Sequence, residues 1–382
     1  MSRSLKVTLY KCGLYQFRRY SFAPPSKTLY FQHVMSAPKK ILIIRFSSLG
    51  DIILATPLLR VLHIRFPSSR IDFVVRKEYA ELIRNNKNLH YLYEFDARTG
   101  MTGLHKLKIQ LRAEHSDLVI DIHNSLRSRY LRWMLGVNEV VVLSKHLFAR
   151  TILIQLKKNF YHRVISVADR YIEPVQQFGI ENDGQGLELA IPEEIRAQTA
   201  AKMKSMEIQP LKRMIGFCPS AKHATKCWPQ DRFKELGVKL SKELNATILL
   251  FGGMQDKEKC SAIAQEINLS GGEGSARDLS GELSILESAV AMEACDLIVT
   301  NDTGLMHVAS AMKKKVVAIF GPTVREFGFF PVGKDQVVLE RLNLSCRPCS
   351  HIGGKSCPEG HFRCMKEIQV EEVIKSIQAI AP

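Results

Sequence analysis

No apolar run in these 382 residues approaches the roughly 18 positions that a membrane-crossing helix needs, which argues against an integral membrane protein. No short-period repeat and no low-complexity segment interrupts the chain. The turn after the first expected strand, Ser-Ser-Leu-Gly-Asp (47–51), is not G-x-G-x-x-G, so a dinucleotide fingerprint is not supported there. No Asp-x-Asp pair occurs anywhere, so a metal-bridged diphosphate is not indicated. Acidic residues are missing from positions 1–40, which carry Arg3, Lys6, Lys11, Arg18, Arg19, Lys27, Lys39 and Lys40. Half of the formal net charge of +16 therefore belongs to that tail.

The tail is basic and aromatic and lacks the continuous apolar core of a secretory signal. It reads as a disordered arm, a transit segment, or the product of a start codon called too early, and Met35 as the true start is the favoured reading. The remaining chain is moderately basic, which suits an anionic substrate or a headgroup-rich membrane face better than nucleic acid. Hydrophobic residues at 46% and charged ones at 24% are ordinary for a globular protein, and the length leaves room for two domains.

Strand-like and helix-like segments alternate in two series. The first has strands at 40–46, 71–75 and 117–122, a helix from about Ile52 to Arg65 and another over 125–134. A polar connector near 181–193 follows. The second has strands at 214–217, 247–251, 297–300 and 316–320, with helices at 231–244, after Asp256, and at 285–294. Alternation of this kind predicts an α/β protein of two doubly wound parallel sheets. The expected domains are a tail at 1–38, a first Rossmann-like domain at 39–190, a second at 191–345, and a Cys-rich segment with a C-terminal helix at 346–382.

Candidate chemistry collects at the expected strand-to-helix turns. In Asn-Asp-Thr-Gly-Leu-Met-His (301–307), Asp302, Thr303, Gly304 and His307 sit where a helix opens, and its unpaired N–H groups suit a phosphate. A plain helix cap from Asp302 or Thr303 is the competing reading. Asp51 could take a proton from a substrate hydroxyl or simply cap the next helix. The loop 218–229 places Lys226 where it could neutralise a leaving diphosphate, or be a solvated base. Trp228 beside it reads as core. Asp256, after the Phe-Gly-Gly turn (251–253), could bind a ribose hydroxyl pair or serve turn chemistry alone. Cys346, Cys349, Cys357 and Cys364 have the spacing C-x2-C-x7-C-x6-C, compatible with zinc, disulfides or packed thiols. The other cysteines read as free thiols.

Taken together, Arg-Phe-Ser-Ser-Leu-Gly-Asp-Ile-Ile-Leu-Ala-Thr-Pro-Leu-Leu-Arg (45–60), Pro-Ser-Ala-Lys-His-Ala-Thr-Lys-Cys-Trp-Pro (219–229), Phe-Gly-Gly-Met-Gln-Asp-Lys-Glu (251–258), the 301–309 stretch and Phe-Gly-Pro-Thr (320–323) resemble glycosyltransferase family 9, the ADP-heptose:lipopolysaccharide heptosyltransferases. The resemblance runs from about Lys39 to the end. It implies a GT-B architecture, two Rossmann-like domains facing a cleft, with acceptor on the first and nucleotide-sugar on the second. It implies Asp51 as catalytic base, Lys226 as the lysine on the donor phosphates, Asp302, Thr303, Gly304 and His307 as donor-binding, and Asp256 near the adenosine ribose. The implied activity is inverting and metal-independent transfer of heptose from ADP-heptose to the lipopolysaccharide inner core, with no cofactor. The implied partners are the donor, the anionic core acceptor and, peripherally, the cytoplasmic face of the inner membrane, with no nucleic acid. Transfer from another nucleotide-sugar, a sugar-nucleotide epimerase on the same architecture, and a zinc-dependent nucleic-acid binder are the alternatives.

Overall fold

Leu9–Tyr10 (β1), Lys40–Ile44 (β2), Arg70–Arg76 (β3), Tyr91–Phe95 (β4), Leu118–Asp121 (β5) and Glu139–Val142 (β6) are the strands of the first half. Met214–Cys218 (β7), Thr247–Leu250 (β8), Ala276–Asp278 (β9), Leu297–Asn301 (β10), Lys315–Ile319 (β11) and Gln336–Leu339 (β12) are those of the second. They come from a computed structural model that describes residues 9–10, 37–133, 135–208, 213–272 and 274–381. Nearly all of the basic tail, Met35 included, lies outside the described residues.

The strands form two sheets. One is parallel, in the order β4-β3-β2-β5-β6, and the other runs β1-β12-β11-β10-β7-β8-β9, parallel except where β1 meets β12. This is the pair of Rossmann-like domains that the sequence predicts. In each sheet the central strands are closed to solvent on both faces: Ile41, Ile43, Ile298 and Val299 are all 0% exposed. Parallel strands covered by helices on both sides read as unbroken aliphatic runs.

The strands that sequence reading passes over, β4, β6, β9 and β12, lie at or next to the sheet edges. Their burial is mixed, as in β4 with its exposed Tyr91 and buried Phe95, so no continuous apolar run announces them.

The helix expected over 52–65 is two helices, Leu49–Leu54 and Thr56–Arg65. Pro57 causes the break, because it has no N–H to offer the carbonyl of Ile53. The Thr56 hydroxyl donates to that carbonyl instead, at 2.7 Å. The short first helix is thus free to point its opening turn toward the second domain.

The connector 181–191 is anchored on both sides. Arg60 makes a two-pronged contact with Asp183, at 2.6 and 2.8 Å, and a third bond to Glu188. From the other domain, Lys313 donates to the carbonyls of Gln185 and Leu187. The C-terminal helix Val370–Ile380 buries Val373 and Ile377 with Val337 and Leu297, so it completes the second core.

Candidate active site between the lobes

Asp51 is the third residue of its helix, and Ser48 is the cap. The Ser48 backbone N–H and hydroxyl donate to one Asp51 oxygen, at 3.0 and 2.8 Å. The other oxygen receives the Tyr171 hydroxyl at 2.8 Å and the Arg45 guanidinium at 2.7 Å. The capping role weighed from the sequence is therefore real, and it accounts for one face of the carboxylate only. Burial alone would raise this carboxyl, but the Arg45 charge and the Ser48 and Tyr171 hydrogen bonds outweigh it and hold Asp51 at about 2. Arg45 is itself held by the carbonyl of Ile122 and lies 5.2 Å from the Tyr171 ring centroid.

The second half of the site is built at the carboxyl edge of the other sheet. Lys226 ends a short 3-10 turn after β7, and Asp302 follows β10, the neighbouring strand. Their side chains meet at 2.7 Å, and the Thr323 hydroxyl donates to the same Asp302 oxygen at 2.8 Å. Asp302 is thus spent on its neighbours and does not cap the helix Gly304–Ala311. Thr303 occupies the cap position without a side-chain cap hydrogen bond. The Met306 N–H donates to the Thr303 carbonyl at 3.2 Å, which leaves the Gly304 and Leu305 N–H groups of that opening turn for an anion.

The two halves meet across a tight seam. A Cβ on Gly304 would lie 2.8 Å from Leu49, and a Cβ on Gly50 would lie 2.6 Å from the ring of His307. His307 is 3% exposed, and its Nδ1 has no partner among the described residues. Burial pushes it down to about 4, against the opposing charges of Asp302 and Asp51, so the imidazole is neutral. Gly50→Ala tests the seam: alanine is the better helix former by about 1 kcal/mol, yet overpacking here is expected to cost about 1–3 kcal/mol. Chemical denaturation should show a lower midpoint, and an unchanged or higher one would mean that the helices separate freely.

Asp256 shares the same sheet edge, beyond β8, one strand further from β10 than Lys226. It accepts from the Gly253 N–H at 2.9 Å, which is the turn chemistry the sequence allowed; among the described residues no hydrogen bond or ion pair joins it to Lys226 or Asp302. An open cavity bounded by Arg213, Glu293, Asp296, Lys314 and Lys315 lies at the opposite, amino-terminal edge and is no part of this site.

Cys346, Cys349, Cys357 and Cys364 are all free thiols that line one small cavity with His361. Among the described residues, no group of three or more His, Cys, Asp or Glu side chains is arranged to hold a metal ion, so the zinc cage allowed by the spacing is not formed by these side chains as placed. The segment does brace the site. Arg347 donates to the carbonyls of Gly321 and Thr323, and Gly354 exchanges hydrogen bonds with Thr225 beside Lys226.

Sequence reading missed Arg45 and Tyr171 as partners of Asp51, and Thr323 as a partner of Asp302. Arg45 had a faint signal, a cation at the end of a buried strand. Tyr171 had none, because 120 positions separate it from Asp51.

A family model described as glycosyltransferase family 9 (heptosyltransferase) matches residues 104–360. Lipopolysaccharide heptosyltransferase 2 of Escherichia coli (strain K12) is 27% identical over 314 residues, covering 75% of this chain and 84% of that protein. The crystal structure of the glycosyl transferase family 9 from Veillonella parvula DSM 2008 superposes with a TM-score of 0.74 at 25% identity, over 90% of this chain and 97% of the other. The structure of E. coli ADP-heptose lps heptosyltransferase II superposes at 0.66 with 24% identity, over 89% and 98%, and supports the two-lobed fold.

Proposed function

Because the chain belongs to glycosyltransferase family 9 and is a glycosyltransferase, we propose that it moves heptose from ADP-heptose to a hydroxyl of the lipopolysaccharide inner core, with inversion and without a catalytic metal. The observation that carries this reading is the face-to-face placement of the Asp51 helix and the Gly304 helix, which puts a carboxylate opposite a lysine and a helix opening. In this reading the donor diphosphate lies on Lys226 and the N–H groups at Gly304, with Asp256 toward the ribose, and the acceptor approaches from the Asp51 side.

A carboxylate held at about 2 is a weak base toward a free alcohol. It suffices when the proton leaves late. As the bond to ADP breaks, the sugar gains oxocarbenium character and the attacking oxygen becomes far more acidic than an alcohol. Ser48 is exposed, so its hydroxyl is the donor to Asp51 that an acceptor hydroxyl can replace, while Arg45 and Tyr171 keep the carboxylate aimed. Attack from the Asp51 side, opposite ADP, inverts the anomeric centre. Charge that develops on the diphosphate is met by Lys226, and the helix opening adds about 0.3–2 kcal/mol. The absence of Asp-x-Asp agrees with a cation supplied by lysine. The acceptor places the reaction at the cytoplasmic face of the inner membrane.

Incubation with ADP-heptose and truncated inner-core lipopolysaccharide, followed by mass spectrometry, is expected to add one heptose to the acceptor. Conversion of the nucleotide-sugar without any acceptor would favour epimerase chemistry, and no gain of mass would defeat the proposal.

A further inference from the structure

The helix Leu147–Leu156 is mainly apolar, with Arg150 its one charged residue, but has little to pack against. Of its ten residues only Leu153 is buried. Leu147 is 55% exposed, Phe148 75% and Leu156 63%, and the irregular return segment adds Phe160 at 53% and Val164 at 48%. The Phe148 and Phe160 rings stand 6.4 Å apart, so helix and return form one apolar tip. Scattered exposed apolar residues need no explanation, but five within eighteen positions mark a contact surface.

The charge carried by this stretch of chain has one sign. Between Glu139 and Asp169 the chain contains Lys145, Arg150, Lys157, Lys158 and Arg163 and no acid. Two acids from other elements do face it: Glu173 pairs with Arg163 and lies near His146, and Glu326 accepts from Asn159. Lys158 is exposed, and no hydrogen bond or ion pair engages it among the described residues. Lys157 is used differently. It donates to the carbonyls of Cys346 and Pro348 and so ties the base of the hairpin to the second domain. The hairpin is held beside the cleft, since the Cys346–Pro348 backbone that Lys157 grips leads on to Gly354, which bonds Thr225 next to Lys226.

We propose that the 147–164 hairpin is the surface by which this protein docks on an anionic lipid bilayer, with Phe148, Phe160, Leu147 and Leu156 entering the headgroup boundary and Lys158 and its basic neighbours meeting lipid phosphates. Apolar insertion joined to cationic attraction is how a short amphipathic element binds an interface without spanning it. No helix among the described residues is long and apolar enough to cross a membrane, so the contact lies in the plane of the surface. The assignment deepens the proposed reading of a membrane-borne acceptor, because it sets the cleft mouth against the layer from which that acceptor would enter.

The test is flotation of the full chain with vesicles of phosphatidylglycerol and phosphatidylethanolamine, or of phosphatidylcholine alone. None of these three lipids carries the proposed core acceptor, so the result does not depend on the transferase reading. Binding is expected to the anionic vesicles, to weaken with salt, and to fall at least about tenfold in Phe148→Ser/Phe160→Ser. Lys158→Glu, at a fully solvated position, should weaken binding to the anionic vesicles alone. Both variants are expected to keep the parent's unfolding midpoint. Equal flotation of parent and variants, absence of binding to anionic vesicles, or a concentration-dependent dimer that the Phe pair abolishes would each overturn the proposal, the last by showing that a second copy covers the tip.

Discussion

Replacing Asp51 with asparagine is expected to lower kcat for sugar transfer by about 10²- to 10⁴-fold, with nucleotide affinity little changed. Asparagine keeps one acceptor oxygen, enough for the Tyr171 side or the Ser48 side but not both, and it cannot take a proton; the position faces the incoming hydroxyl, away from the phosphates. The substitution also strips Arg45 of its carboxylate, and breaking a buried pair from one side costs about 3–5 kcal/mol. Activity must therefore be read beside an unfolding curve, at a temperature where the variant is folded. Undiminished kcat in a folded Asp51→Asn protein would remove the base assignment.

The same environment sets a pH dependence. The Asp51 carboxyl lies below its ordinary 3.8, at about 2, so folding favours the ionised form. Its contribution to stability is complete above the ordinary carboxylate range and drains away as pH falls from about 4 toward 2. Around neutrality neither Asp51 nor His307, at about 4, changes charge, so an inflection of the pH–rate profile there would belong to another group.

Lys226→Ala is expected to lower kcat by about 10²- to 10³-fold, as removal of one preorganised charge contact does elsewhere, and to weaken ADP binding as well. The double loss separates it from Asp51→Asn. Lys226 is 14% exposed and paired with Asp302, so in the free protein its charge is already half engaged. A diphosphate must share the ammonium with Asp302, and Thr323 helps by holding that carboxylate in place. Lys226→Arg retains charge but brings a planar fork in place of a compact point charge, so partial recovery is the expected result. Calorimetry with ADP gives the affinity directly, and unchanged affinity in Lys226→Ala would detach this lysine from the donor.

How much of this was legible beforehand depended on range. Asp51 and Ser48, or Asp256 and Gly253, interact across three positions, so their turn and cap chemistry could be read from spacing. The central strands announced themselves because burial on both faces demands unbroken aliphatic runs, while the edge strands, half solvated, carried no such mark. The break at Ala55 was written in Pro57 but was hidden inside a longer apolar pattern.

The sequence by itself determined the alternation of strand and helix, hence two doubly wound sheets, and placed Asp51, Lys226 and Asp302 at the carboxyl ends of strands. Only the tertiary structure decided that Tyr171 and Arg45 would hold Asp51, that Lys226 would find Asp302, and that Gly50 would close on His307. The reason is physical: secondary structure follows from side-chain periodicity within a few residues, whereas Lys226–Asp302, Tyr171–Asp51 and Gly50–His307 join positions 76, 120 and 257 apart, the first two through packing inside one folded core and the last through the seating of one core on the other; Arg45 is near Asp51 in sequence but is aimed at it by the same packing.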